Sequence, residues 1–250
     1  MDKTQVIFKI AEEMTELSLI VASMYLILGF YVQRYQPQWK ESLNKRRLIT
    51  LLLLVLAVSA IKVSEDVLGG ESSSIDTAVL VFIHSHVPSS VTWFFDAVTY
   101  TGSSKVLFPL AIIVTIIFLS TKYRFEAMLV AASSISGAIV IYLMKILVSR
   151  SRPALWDTAW YWGSSFPSGH TLAVAAFATS LVLCVRRIRP AFQNLALSIA
   201  VVWICVVAMS RLVLGVHWPT DVLTAACIGA FIPLAINAVL VFHEAKRIAA

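Results

Sequence analysis

Long apolar runs broken by short polar strings set the pattern of this chain. Seven stretches are long and oily enough to be read as helices crossing a bilayer, a task that takes about 20 mainly apolar residues. They are residues 17–35, 48–68, 104–120, 125–148, 169–185, 195–214 and 221–242. Lys62 interrupts the second, and its flexible stem would let the ammonium snorkel to the nearer interface. Residues 69–103 are too polar to span, although residues 75–83 are apolar enough for a short helix lying in or dipping into the interface. That segment is read as structural or gating, not catalytic. No internal repeat or low-complexity linker divides the chain. The expected fold is therefore all-α, a polytopic transmembrane helical bundle. It comprises a six-span core at residues 48–243, an N-terminal segment at residues 1–47 adding one span and a basic loop, and a tail at residues 244–250.

Composition sharpens this picture. The chain has 250 residues, of which 59% are hydrophobic and 14% charged, and a mean hydropathy of +0.83. A soluble domain carries about a quarter of its residues as charges. The net charge is +6, but the basic residues fall in short loops and in the polar strings, so membrane orientation and anion binding explain them and nucleic acid does not. Lys40, Lys45, Arg46 and Arg47 precede the second span, Lys122 and Arg124 the fourth, and Arg186, Arg187 and Arg189 the sixth, while Lys246 and Arg247 follow the seventh. Alternating spans bring all four clusters to one side, the expected cytoplasmic side. The polar strings and the acidic N-terminus then face outward. The first sixteen residues mix Lys3 and Lys9 with Asp2, Glu12, Glu13 and Glu16, which is not the basic leader of a removable signal peptide. Cys184, Cys205 and Cys227 lie in apolar stretches without metal-ligand spacing and are read as small buried hydrophobes.

Three strings hold the candidate chemistry, each at the edge of an apolar run: KILVSRSRP at 145–153, PSGH at 167–170 and SRLVLGVHWPTD at 210–221. Lys145 sits near the outward end of the fourth span, where a Lys is commonly interfacial. Arg152 precedes Pro153, which disfavours helix and marks the exit. A guanidinium there can fork two phosphate oxygens, and an ammonium adds a point charge. Ser168 and Gly169 stand at a helix start, where backbone N–H groups are open to an anion and the missing Cβ allows close approach. Arg211 is a charge near a span end, costly unless partnered. Asp221 lies four positions after His217, close enough to accept its N–H, fix its tautomer and raise its basicity. Read singly, each string also fits a structural role: a snorkelling Lys, an ordinary helix cap, a His–Asp hydrogen bond. Gathered at one rim, cations and two histidines suit a phosphate ester, one His attacking phosphorus and the other protonating the leaving group.

These strings resemble those of the type-2 phosphatidic acid phosphatase superfamily, the membrane lipid phosphate phosphatases. The family pattern is Lys, six residues, Arg-Pro; Pro-Ser-Gly-His; and Ser-Arg, five residues, His, three residues, Asp. Residues 145–153, 167–170 and 210–221 fit it without a substitution, and the resemblance runs over roughly residues 48–243. It implies that His217 is the nucleophile forming a phosphohistidine, that Asp221 orients it, and that His170 protonates the leaving oxygen and later helps activate water. It also implies that Lys145, Arg152, Arg211, Ser168 and Gly169 hold the phosphoryl oxygens. Phosphoryl transfer needs mainly positioning and charge stabilisation. No Asp/Glu cluster near the strings suits Mg²⁺, so no metal and no cofactor are expected.

The expected partners are the bilayer and a lipid phosphate, with phosphatidic acid, phosphatidylglycerol phosphate and undecaprenyl diphosphate as candidate substrates, and the expected location is a bacterial inner membrane with the site facing outward. A diffusible sugar phosphate, phosphate transfer between lipids, and a silent lipid-binding or transport protein of the same fold are the alternatives. Long apolar spans set the chain apart from soluble vanadate-binding oxidases with related motifs. Residues 154–165 are rich in aromatics (Trp156, Trp160, Tyr161 and Trp162) and are read first as an interface belt, second as a wall for a headgroup that Asp157 could contact.

Overall fold

The computed structural model describes residues 3–158 and 162–249; Asp2, Trp160 and Tyr161, named above, lie outside them. The helices run α1 (Lys3–Tyr35), α2 (Lys40–Lys45), α3 (Arg47–Gly69), α4 (Ser73–His86), α5 (Thr92–Thr101), α6 (Ser104–Ser120), α7 (Arg124–Leu147), α8 (Gly169–Ile188), α9 (Gln193–Val213) and α10 (Pro219–Ala249). No strand occurs among the described residues. In hydrocarbon, helices satisfy their own backbone hydrogen bonds, which is why the apolar runs take this form. Six helices are long and apolar enough to cross a membrane, so this is an integral membrane protein: α1 (from Ala11), α3, α7, α8, α9 with the turn before it, and α10 as far as Phe242. The third expected span, α6, is present but has 17 residues, about 25 Å of rise against a core of roughly 30 Å.

The segment between α3 and α6 differs most from the expectation. The short helix expected at 75–83 is one arm of a bent pair: α4 and α5 meet at 89°, and together they are apolar enough to count as a broken span or a re-entrant loop. Pro88 sits at the break in extended backbone, where it cannot continue a helix. The two arms fold back against the upper part of the bundle, α4 on α9 and α10 and α5 on α9.

Burial shows which helix is central. Half of the spanning window of α8 is buried, against 11% for α1 and for α3. Val174, Phe177 and Cys184 of α8 pack with Leu129 and Val130 of α7 and Val207 of α9, and Leu172 packs with Ala225 and Ile232 of α10. α10 closes on α8 through Gly229, where an added Cβ would stand 2.6 Å from both the Ala175 Cβ and the Leu172 carbonyl oxygen. Small residues allow such backbone approach, a main source of helix affinity in lipid.

Lys62 is paired: its Nζ meets Glu16 at 2.8 Å and Glu13 at 3.1 Å, fastening α1 to α3. Two acidic partners stabilise an ammonium within an apolar run. One sequence expectation is corrected. Cys184 and Cys227 are buried, but Cys205 is exposed on α9, because a lipid-facing surface is as apolar as a core and the sequence pattern does not separate the two. Arg187, read above only as an orientation signal, also pairs with Glu126 of α7 at 3.1 Å and Glu244 of α10 at 2.7 Å.

The contact at Gly229 generates a prediction. Gly229→Ala should wedge α10 off α8, because the opposing atoms include backbone that cannot rotate away, with a cost of about 1–3 kcal/mol. Thermal unfolding in detergent measures this, and an unchanged midpoint would contradict the packing described.

Candidate active site

The ends of four helices place the site residues. α7 ends at Leu147, where Val148 turns extended, and the loop that follows carries Arg150 and Arg152. Ser164 folds this loop back: its hydroxyl accepts from the Arg150 N–H at 3.1 Å and from the Phe166 N–H at 3.2 Å, while the Ser165 N–H donates to the Arg150 carbonyl at 2.9 Å. Ser168 then caps α8, and its N–H donates to the Asp221 carbonyl at 3.2 Å, tying the start of α8 to the start of α10. Pro219 opens α10, a favoured position because the missing N–H has no helical partner there.

All eight site residues expected from the sequence come together at this end of the bundle. Lys145 Nζ donates to the Ser164 carbonyl at 2.6 Å, and its stem lies over Gly163 and Gly169. Arg152 Nη1 donates to the Val216 carbonyl at 2.8 Å, and Nη2 reaches the Trp162 and Ser164 carbonyls at 3.3 and 3.4 Å. Arg211 is fully buried and donates through Nη1 to Thr99 Oγ1 of α5 at 2.6 Å. These hydrogen bonds end on neutral carbonyl and hydroxyl oxygens. His170, in the first turn of α8, lies in the field of Arg211, Lys145 and Arg152. The buried Ser168 hydroxyl shares a hydrogen bond with Thr171 Oγ1 at 3.1 Å.

His217 lies between Arg152 and Asp221. It is 2% exposed. Its Nε2 stands 3.2 Å from Arg152 Nη1. A guanidinium only donates, so Nε2 accepts and the proton of the neutral ring lies on Nδ1. Nδ1 faces Asp221 Oδ2 at 3.5 Å, an approach longer than a good hydrogen bond. Asp221, fully buried, accepts the Trp218 N–H on the same oxygen at 2.9 Å. Burial pushes the His217 imidazole down to about 4; Asp221 opposes this, and Arg211 and Arg152 reinforce it. The ring is therefore neutral above that range.

Sequence reasoning left Arg150 and Asp76 without a role. Arg150 bonds Asp221 Oδ1 through Nη1 and Asp76 Oδ2 through Nη2, each at 2.5 Å. The signal for Asp76 was a carboxylate inside an apolar stretch, a costly placement that marks a paired or functional group.

Beside His217 lies a cleft of about 400 Å³, lined among others by His84, Asp96, Trp156, Asp157 and Val216. Trp156 stacks on His84 with ring centroids 4.0 Å apart, and its indole lies where a Cβ on Gly215 would stand; Gly215 also has φ +65°. Only glycine suits both conditions. Of the aromatic loop, Trp156 thus forms a wall, while Trp162 is exposed, in keeping with a belt.

A helical membrane bundle with two histidines, a buried Asp and converging cations at one end is the class that fold and site define. Residues 126–244 match the model of the PAP2 superfamily, and the chain resembles that family as its three strings implied. Phosphatidylglycerophosphatase B of Escherichia coli (strain K12) is 42% identical over 66 residues, 26% of this chain and 25% of that protein. Lipid A 1-phosphatase of Rhizobium johnstonii is 32% identical over 102 residues, 37% of this chain and 38% of that protein. The matched stretches thus span well under half the length of these curated relatives. The fold matches the crystal structure of a transmembrane PAP2-type phosphatidylglycerolphosphate phosphatase from Bacillus subtilis, with TM-score 0.65 and 22% identity over 76% of this chain and 94% of that one. It also matches Aquifex aeolicus LpxE, with TM-score 0.50 and 22% identity over 66% of this chain and 94% of that one.

The electrostatics of His217 generate a prediction. ¹⁵N shifts of histidine-labelled protein, with His217→Ala to assign the signal, should give a titration midpoint near 4. A midpoint near the ordinary 6.5 would show that burial does not dominate.

Proposed function

We propose that this protein is an integral membrane phosphatase that hydrolyses a phosphomonoester or diphosphate of a lipid through a phosphohistidine intermediate. The observation that carries this reading is His217, with Nδ1 turned to Asp221 and Nε2 turned to Arg152 among further cations. The Nε2 lone pair attacks phosphorus and the bond from phosphorus to the lipid oxygen breaks. His170 gives that oxygen its proton. Water then attacks the phosphohistidine and loses a proton to His170, the P–N bond breaks, and inorganic phosphate leaves. Lys145, Arg152 and Arg211, with the Gly169 N–H and Ser168, hold the phosphoryl oxygens as charge shifts onto them.

Metal independence belongs to this proposal. Three cations can supply the charge stabilisation a metal would, and among the described residues no three of His, Cys, Asp and Glu are grouped to hold an ion. Similarity to a phosphatidylglycerophosphatase and a lipid A 1-phosphatase supports a lipid phosphate substrate, of the phosphatidic acid, phosphatidylglycerol phosphate or undecaprenyl diphosphate type in this proposal. Residues 48–243 would be the catalytic core, 1–47 an addition held through Lys62, and 244–250 a tail. Arg186 and Arg187, at the far end of α8 from His170, support a cytoplasmic far end and a site on the outer face of a bacterial inner membrane.

Three outcomes test the reading. Purified protein should release phosphate from at least one of phosphatidic acid, phosphatidylglycerol phosphate, undecaprenyl diphosphate and lipid A, and His217→Ala should lower turnover about 10³-fold or more. Turnover of glucose 6-phosphate alone would move the substrate class to diffusible phosphates. His170→Ala should slow the reaction about 10²–10⁴-fold for alkyl phosphates and clearly less for p-nitrophenyl phosphate; equal losses would remove the acid role. EDTA should leave the rate unchanged, whereas inactivation reversed by Mg²⁺ would overturn the metal-free mechanism.

A further inference from the structure

The carboxylate of Asp76 belongs to no motif, yet it is wired to the nucleophile. It comes from α4, more than 140 positions before Asp221 in the chain, and is fully buried. Oδ1 accepts the Thr220 N–H at 3.0 Å, and Oδ2 accepts the Thr220 hydroxyl at 2.7 Å and Arg150 Nη2 at 2.5 Å. The other arm of Arg150 donates to Asp221 Oδ1 at 2.5 Å and to Thr220 Oγ1 at 2.8 Å. Ser72 Oγ completes the guanidinium's contacts at 3.2 Å. The order of groups is therefore Asp76, Arg150, Asp221, His217, alternating in charge and ending on the ring.

Stability alone is a poor account of this array. Burying two carboxylates and a guanidinium costs much of what their attraction returns. Charge counting gives a better one. With Arg150 alone, Asp221 would be one half of a neutral pair and would lend His217 little anionic support. Asp76 takes half of the guanidinium, so Asp221 faces His217 with more of its charge. Asp76 also satisfies the Thr220 N–H in the first turn of α10, where an anion is favoured by the helix dipole, and this leaves Asp221 Oδ2 to Trp218 and His217. Asp76 and Arg150 bond to the Asp221 side of this array, away from His217 Nε2, so their part is played through Asp221.

We infer that Asp76, acting through Arg150, sets the charge that Asp221 presents to His217 and is a positioning residue of the site. This rests on the phosphatase reading for its effect on rate, though not for its effect on His217. The other charged or titratable groups acting on His217 are Arg152 from the loop after α7, Arg211 from α9 and His170 from α8, and His84, Asp96 and Asp157 line the cleft beside it; all are unchanged in the variants below.

Two substitutions in the full-length protein should act in opposite directions. Asp76→Asn removes an anion and leaves Arg150 wholly on Asp221, so the His217 midpoint should fall by about half a unit to one unit. Arg150→Gln removes the cation between two carboxylates, so the midpoint should rise. Both are read by ¹⁵N-histidine titration without substrate, which separates this inference from the phosphatase reading. In phosphate release, Asp76→Asn should lower kcat by about 10-fold with KM within about 2-fold. A purely structural role would lower thermal stability without moving the two midpoints apart. Midpoints that stay at the wild-type value, or move the same way, overturn the inference. If Arg150→Gln does not fold, the fall or constancy of the midpoint in Asp76→Asn decides. If the wild type releases phosphate from no ester, the phosphatase reading fails and the titration still tests Asp76.

Discussion

A single guanidinium joins three parts of this molecule. Arg150 stands between the buried carboxylates of Asp76 and Asp221, and so binds the bent pair α4/α5, the loop after α7 and the first turn of α10 into one unit. Removing Arg150 would leave two buried carboxylates without their shared cation, an expensive condition. Asp221, held by Arg150 through Oδ1, faces His217 through Oδ2. The guanidinium also lies over the Trp218 ring, 5.6 Å from its centroid, which fixes the residue next to His217.

The remaining cations follow a different rule. Lys145, Arg152 and Arg211 meet carbonyls of Ser164, Trp162 and Val216 and the hydroxyl of Thr99. Neutral acceptors fix the position of a charge without cancelling it, which is what an anion site requires. One end of the bundle therefore holds two kinds of cation, one paired with carboxylates and others bonded to neutral oxygens. The small-residue contact between α8 and α10 at Gly229 keeps the helices carrying His170 and Asp221 close together.

Much of the fold could be read from the apolar runs. In lipid, length and hydropathy translate directly into spanning helices, so α3, α7, α8, α9 and α10 appear within a few residues of their expected bounds. Lipid exposure and core burial look alike in composition, however. Hence Cys205 was read as buried, and the central place of α8 was not apparent. The polar interval before α6 was the hardest to read, because a bent pair satisfies neither the span pattern nor the loop pattern.

The sequence by itself determined the chemistry on offer. Its three strings name the histidines, the Asp and the cations, and each string lies at the edge of an apolar run, so all of them had to emerge near a membrane surface. Only the tertiary structure decided the partnerships. Lys62 met Glu13 and Glu16, Arg211 met Thr99, and Arg150 met Asp76 across 74 positions of chain. The physical reason is that spacing along a helix fixes depth in the bilayer, whereas the rotation and neighbours of each helix are set by packing with elements far away in sequence.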